Sequence, residues 1–294
     1  MCIRDSYKYD AANRLSSITN WSADDSLVHT RLYVRDAVGN ATATYGTDGT
    51  MGYSYDALHR LSIANSAGTA LDESFTYDAV GNRLTKTTAS GTFNYSYGAG
   101  NRLNQIRLAG SNALVNSFVY DDNGAMLEKR DANGSAIWSF TRDDRRRVVG
   151  MSGSGLANGT GSLQYDVQGA RLRHDDNAGT RLFHLEGDHL EAVYDGAGAL
   201  REKYLRGVVI DEVVNGYLLD AEGKLQNLSF HHDHLNSVVG LSGHSGDLEE
   251  VTLFSAFGET LSTSGSTENA MRYTGRRQID GSGGLYYYRA RYYD

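Results

Sequence analysis

The ten residues Phe75-Thr76-Tyr77-Asp78-Ala79-Val80-Gly81-Asn82-Arg83-Leu84 decide how this chain is read. Near copies of them recur from one end of the sequence to the other. The clearest are Tyr7-Lys8-Tyr9-Asp10 with Asn13-Arg14-Leu15, Tyr53-Ser54-Tyr55-Asp56 with Arg60-Leu61, and Tyr95-Ser96-Tyr97 with Gly100-Asn101-Arg102-Leu103. Weaker ones stand at Tyr33-Val34-Arg35-Asp36, Phe118-Val119-Tyr120-Asp121, Phe140-Thr141-Arg142-Asp143, Tyr165-Asp166 with Gly169-Ala170-Arg171-Leu172, and Tyr194-Asp195. Self-similarity at a spacing of roughly 20–30 residues means one supersecondary unit per repeat, each stacked on its neighbours.

In Tyr-x-Tyr-Asp the aromatics are two residues apart, which puts both on one face of an extended strand. Asp and the following Gly or Asn supply a turn, because Asp and Asn bond their own backbone and Gly tolerates positive φ. Arg-Leu then opens a returning strand, and a second polar turn such as Ala89-Ser90-Gly91 leads into the next repeat. About 22 residues hold two strands and two turns, so each repeat reads as a β-hairpin. Roughly ten hairpins give on the order of 20 strands, too many for a twisted open sheet to stay flat. The expectation is an all-β ribbon of repeated β-hairpins, more than half strand, coiled into a curved or hollow shell, with an open edge at Tyr7–Asp10. An ordinary sandwich rich in Tyr for its β-propensity is the rival; it leaves the offsets of Asp and Asn-Arg-Leu unexplained.

Composition agrees. With 40% hydrophobic and 22% charged residues in 294, the chain is globular rather than disordered. Tyrosine outnumbers the other aromatics, 20 against 8 Phe and 2 Trp, which suits strands whose hydroxyls reach water or a polar partner. The absence of Pro beside 34 Gly fits paired strands joined by positive-φ turns. A formal charge of −8 argues against a nucleic-acid groove, and the one basic run, Arg145-Arg146-Arg147 after Asp143-Asp144, is expected at a solvated strand edge. No stretch approaches the ~18 apolar residues of a membrane helix, so no span is expected. A lone Cys2 excludes an internal disulfide framework and a thiolate zinc site. Met1–Ser6 lacks the apolar core of a signal peptide, and the chain begins inside a repeat; we read a fragment of something longer, with residues 1–6 as a non-native leader. The Gly/Ser/Asn-rich text from Gly150 to Gly161 predicts a long hairpin loop or hinge. Between Arg181 and Asn227 the repeats drift, but Val208-Val209-Ile210 and Val213-Val214 still read as short strands.

Tyr204-Leu205-Arg206-Gly207, Phe230-His231-His232-Asp233-His234-Leu235-Asn236-Ser237-Val238 and Phe257-Gly258-Glu259 carry a specific resemblance, as does the run from Tyr273-Thr274-Gly275-Arg276-Arg277 through Gly284-Leu285-Tyr286-Tyr287-Tyr288-Arg289-Ala290-Arg291-Tyr292-Tyr293-Asp294. They resemble the RHS/YD-repeat family as it approaches its C-terminal RHS-associated core. The resemblance divides the chain into the leader, a repeat ribbon over 7–228 and a core over 229–294. It implies a strand ribbon wound into a hollow shell, as in bacterial toxin complexes, Rhs and wall-associated polymorphic toxins, and animal teneurins. In bacterial members that shell holds a variable C-terminal toxin. The implied partners are that effector in cis, an immunity protein and a secretion apparatus, and the implied location is secreted or at the bacterial surface. The family core continues past Tyr-Tyr-Asp into a proline-containing segment, so the effector is expected beyond Asp294.

Chemistry is sparse. His231, His232 and His234 around Asp233 form the most metal-like cluster, since imidazoles two apart on a strand share a face; the alternative, which we prefer, is a structural turn. Asp121-Asp122-Asn123-Gly124 and Asp175-Asp176-Asn177 lack the alternating ligands and distal Glu of a calcium loop and read as turns. No nucleophile elbow or phosphate loop is present, and no cofactor is expected. The resemblance implies one further possibility: aspartates and an arginine of this core are implicated in self-cleavage in toxin-complex relatives, and Arg276, Arg277 and Asp280 fall on the matching stretch. The alternative there is an Arg277–Asp280 pair that closes the shell. The sequence reading is thus a non-catalytic encapsulating scaffold. A tyrosine-faced adhesin or carbohydrate-binding surface is its alternative, and an aspartate-dependent autoproteolytic core the third reading.

Overall fold

The computed structural model describes residues 4–22, 24–47, 49–66, 72–157, 159–208, 211–265, 267–279, 284–289 and 291–294. Its first strands are β1 (Arg4–Tyr9), β2 (Leu15–Trp21), β3 (Leu27–Arg35), β4 (Ala41–Gly46), β5 (Gly49–Tyr55), β6 (Leu61–Ser66), β7 (Glu73–Tyr77) and β8 (Arg83–Thr88). The middle strands are β9 (Gly91–Tyr97), β10 (Leu103–Leu108), β11 (Leu114–Tyr120), β12 (Met126–Arg130), β13 (Ala136–Arg142), β14 (Val148–Ser152), β15 (Gly161–Tyr165) and β16 (Arg171–Asp176). Then come β17 (Gly179–Glu186), β18 (His189–Asp195), β19 (Leu200–Arg206), β20 (Val213–Leu219), β21 (Leu225–His232), β22 (Val238–Ser242), β23 (Leu248–Phe254) and β24 (Thr260–Ser264). All belong to one 24-stranded antiparallel sheet in which each strand pairs with its neighbours in sequence. β1 pairs only with β2 and β24 only with β23 among the described residues, so the sheet does not close as a barrel.

The hairpins that carry the repeat Asp close on one kind of turn. At Asp78 the backbone N–H donates to the Asn82 carbonyl at 2.9 Å, and Gly81 N–H donates to the Asp78 carbonyl at 3.2 Å. The Asp78 carboxylate takes Val80 N–H at 3.0 Å, Asn82 N–H at 2.8 Å and the Asn82 side-chain amide at 2.8 Å. Gly81 sits at φ +96°, and the register with β8 slips between Thr76 and Tyr77. This is a three-residue hairpin loop whose third residue is left-handed and forms a bulge. Asn13, His59, Asn101, Arg146 and Asn236 take the same left-handed position at φ between +55° and +65°.

The offset of Arg from Asp is therefore not fixed, contrary to the sequence expectation. What repeats is a left-handed residue three after Asp, followed by a residue whose backbone N–H returns to the carboxylate, with its side chain adding a second bond where it can reach. Arg14 and Arg60 return through Nε at 2.7 Å and Arg147 at 2.8 Å, while Asn40 and Asn82 do so at 2.8 Å. The Arg60 backbone N–H and guanidinium together hold the Asp56 carboxyl below its usual range. Arg145-Arg146-Arg147 belong to such a turn rather than to a strand edge: Arg146 is the left-handed residue at φ +64° and Arg147 the returning one. Gly81→Val should lower the unfolding free energy by about 1–3 kcal/mol, because a β-branched residue is strained at positive φ. Gly52→Val, in open space at ordinary φ, should leave the urea midpoint within error; equal midpoints for both variants would contradict the turn geometry.

The tyrosines join one hairpin to the next. Tyr77 O–H donates to the Leu61 carbonyl at 2.8 Å, Arg60 Nη1 donates to the Asp78 carbonyl at 2.7 Å, and the Arg60 guanidinium lies 4.9 Å from the Tyr77 ring centre. The hydroxyl bond repeats at Tyr55, Tyr97, Tyr120 and Tyr165, each to a carbonyl at the start of the preceding hairpin's returning strand. Arg14, Arg102 and Arg147 likewise reach the carbonyl of the next turn's Asp. Tyr77→Phe should cost roughly 1 kcal/mol in urea unfolding, since it orphans a carbonyl while leaving the ring in place.

The ribbon then coils onto itself. His29 of β3 stacks on His231 of β21 with centroids 5.8 Å apart, Tyr33 meets His234 edge-on at 4.9 Å, and Phe75 of β7 meets Phe257 at 5.0 Å. Lys86 is buried between Glu73, at 2.9 Å, and Glu259. The early strands thus cover one face of β20–β24. All five residues of β22 are buried, which requires cover on both faces. On the other side Tyr204, Val213, Leu218, Leu228, Phe230, Val238 and Leu241 form one core with Met271. A second core joins Trp138, Phe140, Val148, Met151, Leu156 and Leu163 to Ile279 and Leu285.

The all-β expectation holds, and β1 is the open edge read from Tyr7–Asp10. The Gly-rich segment is a hairpin loop folded back on β13: Ser154 and Gly155 donate to the Ala136 and Ile137 carbonyls, and Leu156 is buried. Val208 is fully exposed and outside any strand, against expectation; Val209 and Ile210 lie outside the described residues, and the strand begins at Val213. The division at 228/229 falls inside β21, and the sheet runs on to β24.

Candidate functional site

The piece that leaves the ribbon is residues 267–294. It forms a separate three-stranded sheet of β25 (Arg277–Gln278), β26 (Tyr286–Tyr288) and β27 (Arg291–Tyr293). Alternation assigns its tyrosines to two faces. Tyr287 and Tyr292 are cross-strand partners with rings 5.6 Å apart, and Tyr292 meets the Tyr165 hydroxyl at 3.0 Å and the Phe140 ring at 6.2 Å. Tyr286 and Tyr293 face the other way, against Tyr273 at 6.5 and 6.3 Å, and their hydroxyls reach the Gly258 and Phe257 carbonyls. The consecutive tyrosines fill the space between β13–β17 on one side and β22–β24 on the other.

Ion pairs seat this segment. Arg277, which is buried, forks onto Glu202 of β19, whose side chain is largely covered. Arg276 and Arg289 share Asp211 at 2.8 and 2.9 Å. Arg272 meets the buried Glu250 at 3.0 Å, and Lys129 meets Asp294 at 2.5 Å. Burial raises the Glu250 carboxyl above its ordinary range, against the opposing pull of Arg272 and of bonds from Asn269 and Thr252. Of the self-cleavage residues, Arg276 and Arg277 are thus engaged with carboxylates of the ribbon, while Asp280 lies outside the described residues.

The histidines diverge. His231 Nε2 meets Ser242 Oγ at 2.8 Å, and burial first, then His29, lowers its imidazole to about 3. His232 turns Nε2 to the Val213 carbonyl at 2.7 Å and Nδ1 to the Asn236 carbonyl at 3.2 Å. His234 packs on Tyr33 from within the turn that opens at Asp233, whose carboxylate takes the Leu235 and Ser237 N–H groups. Among the described residues no three His, Cys, Asp or Glu are placed to share a metal. Asp121 likewise accepts the Asn123 and Ala125 N–H groups as a turn residue.

Sequence reading missed a cavity of about 580 Å³ where the Arg145–Arg147 turn, β16, β17 and the segment's small sheet meet. Arginines dominate its lining. Its most buried arginine, Arg171, stands in the sequence as a repeat position after Gly169-Ala170, and a period-two pattern carries no record of which strands a coil brings together.

No family model matches the chain. Among solved structures, a chain of the Photorhabdus luminescens Tc holotoxin pore superposes on all of it, 100%, with a TM-score of 0.65 and 14% identity. The chain shares the fold of that part of the Tc holotoxin. It spans 17% of the Tc toxin chain's length. The crystal structure of TcdB2-TccC3-Cdc42 aligns over 97% of this chain and 22% of its own at 14% identity, with a TM-score of 0.47. In sequence, the tRNA3(Ser)-specific nuclease WapA of Bacillus spizizenii is 28% identical over 138 residues, 45% of this chain and 6% of WapA. No described helix is long and apolar enough to cross a membrane.

Proposed function

We propose that this chain is wall and inner lining of an RHS/YD-repeat toxin shell, secreted or at the bacterial surface, which shields an effector joined to its C-terminal side. The observation that carries the reading is the seating of residues 267–294: a segment between two parts of the ribbon, held by Glu202, Asp211, Glu250 and Lys129. Whatever follows such a segment is led from an anchored strand instead of a free tail. The fold shared with the Tc toxin supports the same reading. The chain itself acts as scaffold rather than catalyst, with Arg276 and Arg277 in structural ion pairs. The repeat tyrosines, which a sugar-binding surface would present, give their hydroxyls to backbone carbonyls, and several also give a ring face to arginine.

Limited proteolysis of the full product of the encoding gene tests this. Sequence downstream of Asp294 should survive a protease dose that digests the same segment expressed alone. Equal digestion of the two, or a product with nothing downstream, removes the shielding role.

A further inference from the structure

Nine arginines line the 580 Å³ cavity, against the carboxylates of Asp188 and Asp211. Asp211 is already occupied by Arg276 and Arg289, Arg277 is held by Glu202, and Arg147 by Asp143. That leaves Arg142, Arg145 and Arg206 on backbone carbonyls, Arg171 on ring faces and the Tyr292 hydroxyl, and Arg146 exposed to solvent, none of them with a carboxylate among the described residues. A chain of net charge −8 has gathered an uncompensated positive field in one concavity, where low-dielectric walls concentrate its effect.

Arg171 is the strongest sign that the field has a purpose. Its side chain is almost wholly buried, at 3% exposure, with the guanidinium between the Phe183 ring at 4.4 Å and the Tyr287 ring at 4.1 Å. Its Nε and Nη1 are buried with no hydrogen-bond acceptor. A buried cation with idle donors is unfavourable unless an anion completes it, and aromatic faces replace only part of what water supplied. Arg142 Nε, on the same cavity wall, is idle too. We propose that the cavity is a binding site for a small, multiply charged oxyanion, phosphate or carboxylate, which accepts from Arg171 at its floor and from Arg145 and Arg146 at its rim. Its volume lies within the range of about 300–1,000 Å³ usual for small-molecule pockets. The site is independent of the shielding role and can fail or stand without it.

Calorimetric titration of the chain with pyrophosphate and, separately, tricarballylate at low ionic strength tests the proposal, and which probe binds tells phosphate from carboxylate recognition. One site per chain is expected, weakening with added salt. Arg171→Met should weaken binding at least about tenfold. Arg146→Gly supplies the residue that other turns carry at this left-handed position, so it should keep the fold while weakening binding several-fold. Arg201→Gln, an exposed arginine outside the cavity, should bind like the parent and controls for net charge. If Arg171→Met does not fold, Arg146→Gly carries the test. Absence of binding by both anions, or binding unchanged in Arg146→Gly and in any folded Arg171→Met, overturns the site.

Discussion

Glu202→Ala should lower the unfolding free energy by about 3–5 kcal/mol, since removing one member of a buried ion pair leaves the other charge uncompensated. The Glu202 carboxylate takes both Nη groups of Arg277 and the hydroxyl of Tyr204, the latter at 2.5 Å. Tyr204 is 1% exposed, so the substitution orphans a second buried group. The double variant Glu202→Leu/Arg277→Met should recover much of the loss, because a buried pair adds little over apolar side chains of similar volume. Guanidinium unfolding of the two single variants and the double variant closes the cycle. A Glu202→Ala loss below ~1 kcal/mol, the level of an exposed pair, would mean that this contact does not anchor residues 267–294.

Acidification from pH 7 to 4 should weaken the fold by several kcal/mol through the stacked imidazoles of His29 and His231. Burial is the main cause that lowers them, to about 4 and about 3, with Arg31 adding to the first and His29 to the second. Both are neutral in the folded protein, whereas in the unfolded chain they take up protons below about pH 6.5. Between those values the unfolded state binds the more protons, so stability is complete above about pH 6.5 and drains away toward pH 4 and then 3. At about 1.4 kcal/mol per pH unit, His29 alone accounts for roughly 3 kcal/mol. Because the rings are in contact, the two contributions do not simply add. Glu250 works the other way: its raised carboxyl gains a proton in the folded state first and offsets part of the loss on the acid side. Denaturant midpoints at pH 7, 6, 5 and 4 measure the slope, which His29→Phe should flatten. Hydrogen exchange should show β2–β4 loosening first, and a midpoint unchanged between pH 7 and 4 would contradict the burial of both rings.

The hairpin was legible in the sequence because everything that defines it is local. Tyr-x-Tyr, the Asp turn and the left-handed residue lie within about seven residues, and short-range geometry admits few ways to satisfy them. The spacing of Arg is not legible because Arg14 and Asn82 perform one task, a bond back to the Asp carboxylate, from side chains of different type. What the coil brings together was not legible. Nothing in the text around His29 announces His231, some two hundred residues later, and Arg171 resembles any other repeat arginine until Phe183 and Tyr287 close on it. The tyrosine run at 286–288 carried a family resemblance but not its two-faced packing, which needs both walls in place.

Because every strand of the large sheet pairs with its neighbours in sequence, the ribbon can be laid down in order of synthesis. Each hairpin finds its partner within a few dozen residues of leaving the ribosome, so loop closure is cheap in entropy and pairing is quick. The contacts that lock the coil arrive late: β3 waits for β21, β7 for the turn at Phe257, and the cores at Trp138 and Tyr204 for residues 267–294. A nascent chain would therefore be a zipped but half-covered strip, its inner face exposed until residues 267–294 emerge. Translation stalled before residue 230 would leave a strip with native pairing, no finished core and a strong tendency to be caught by chaperones or proteases.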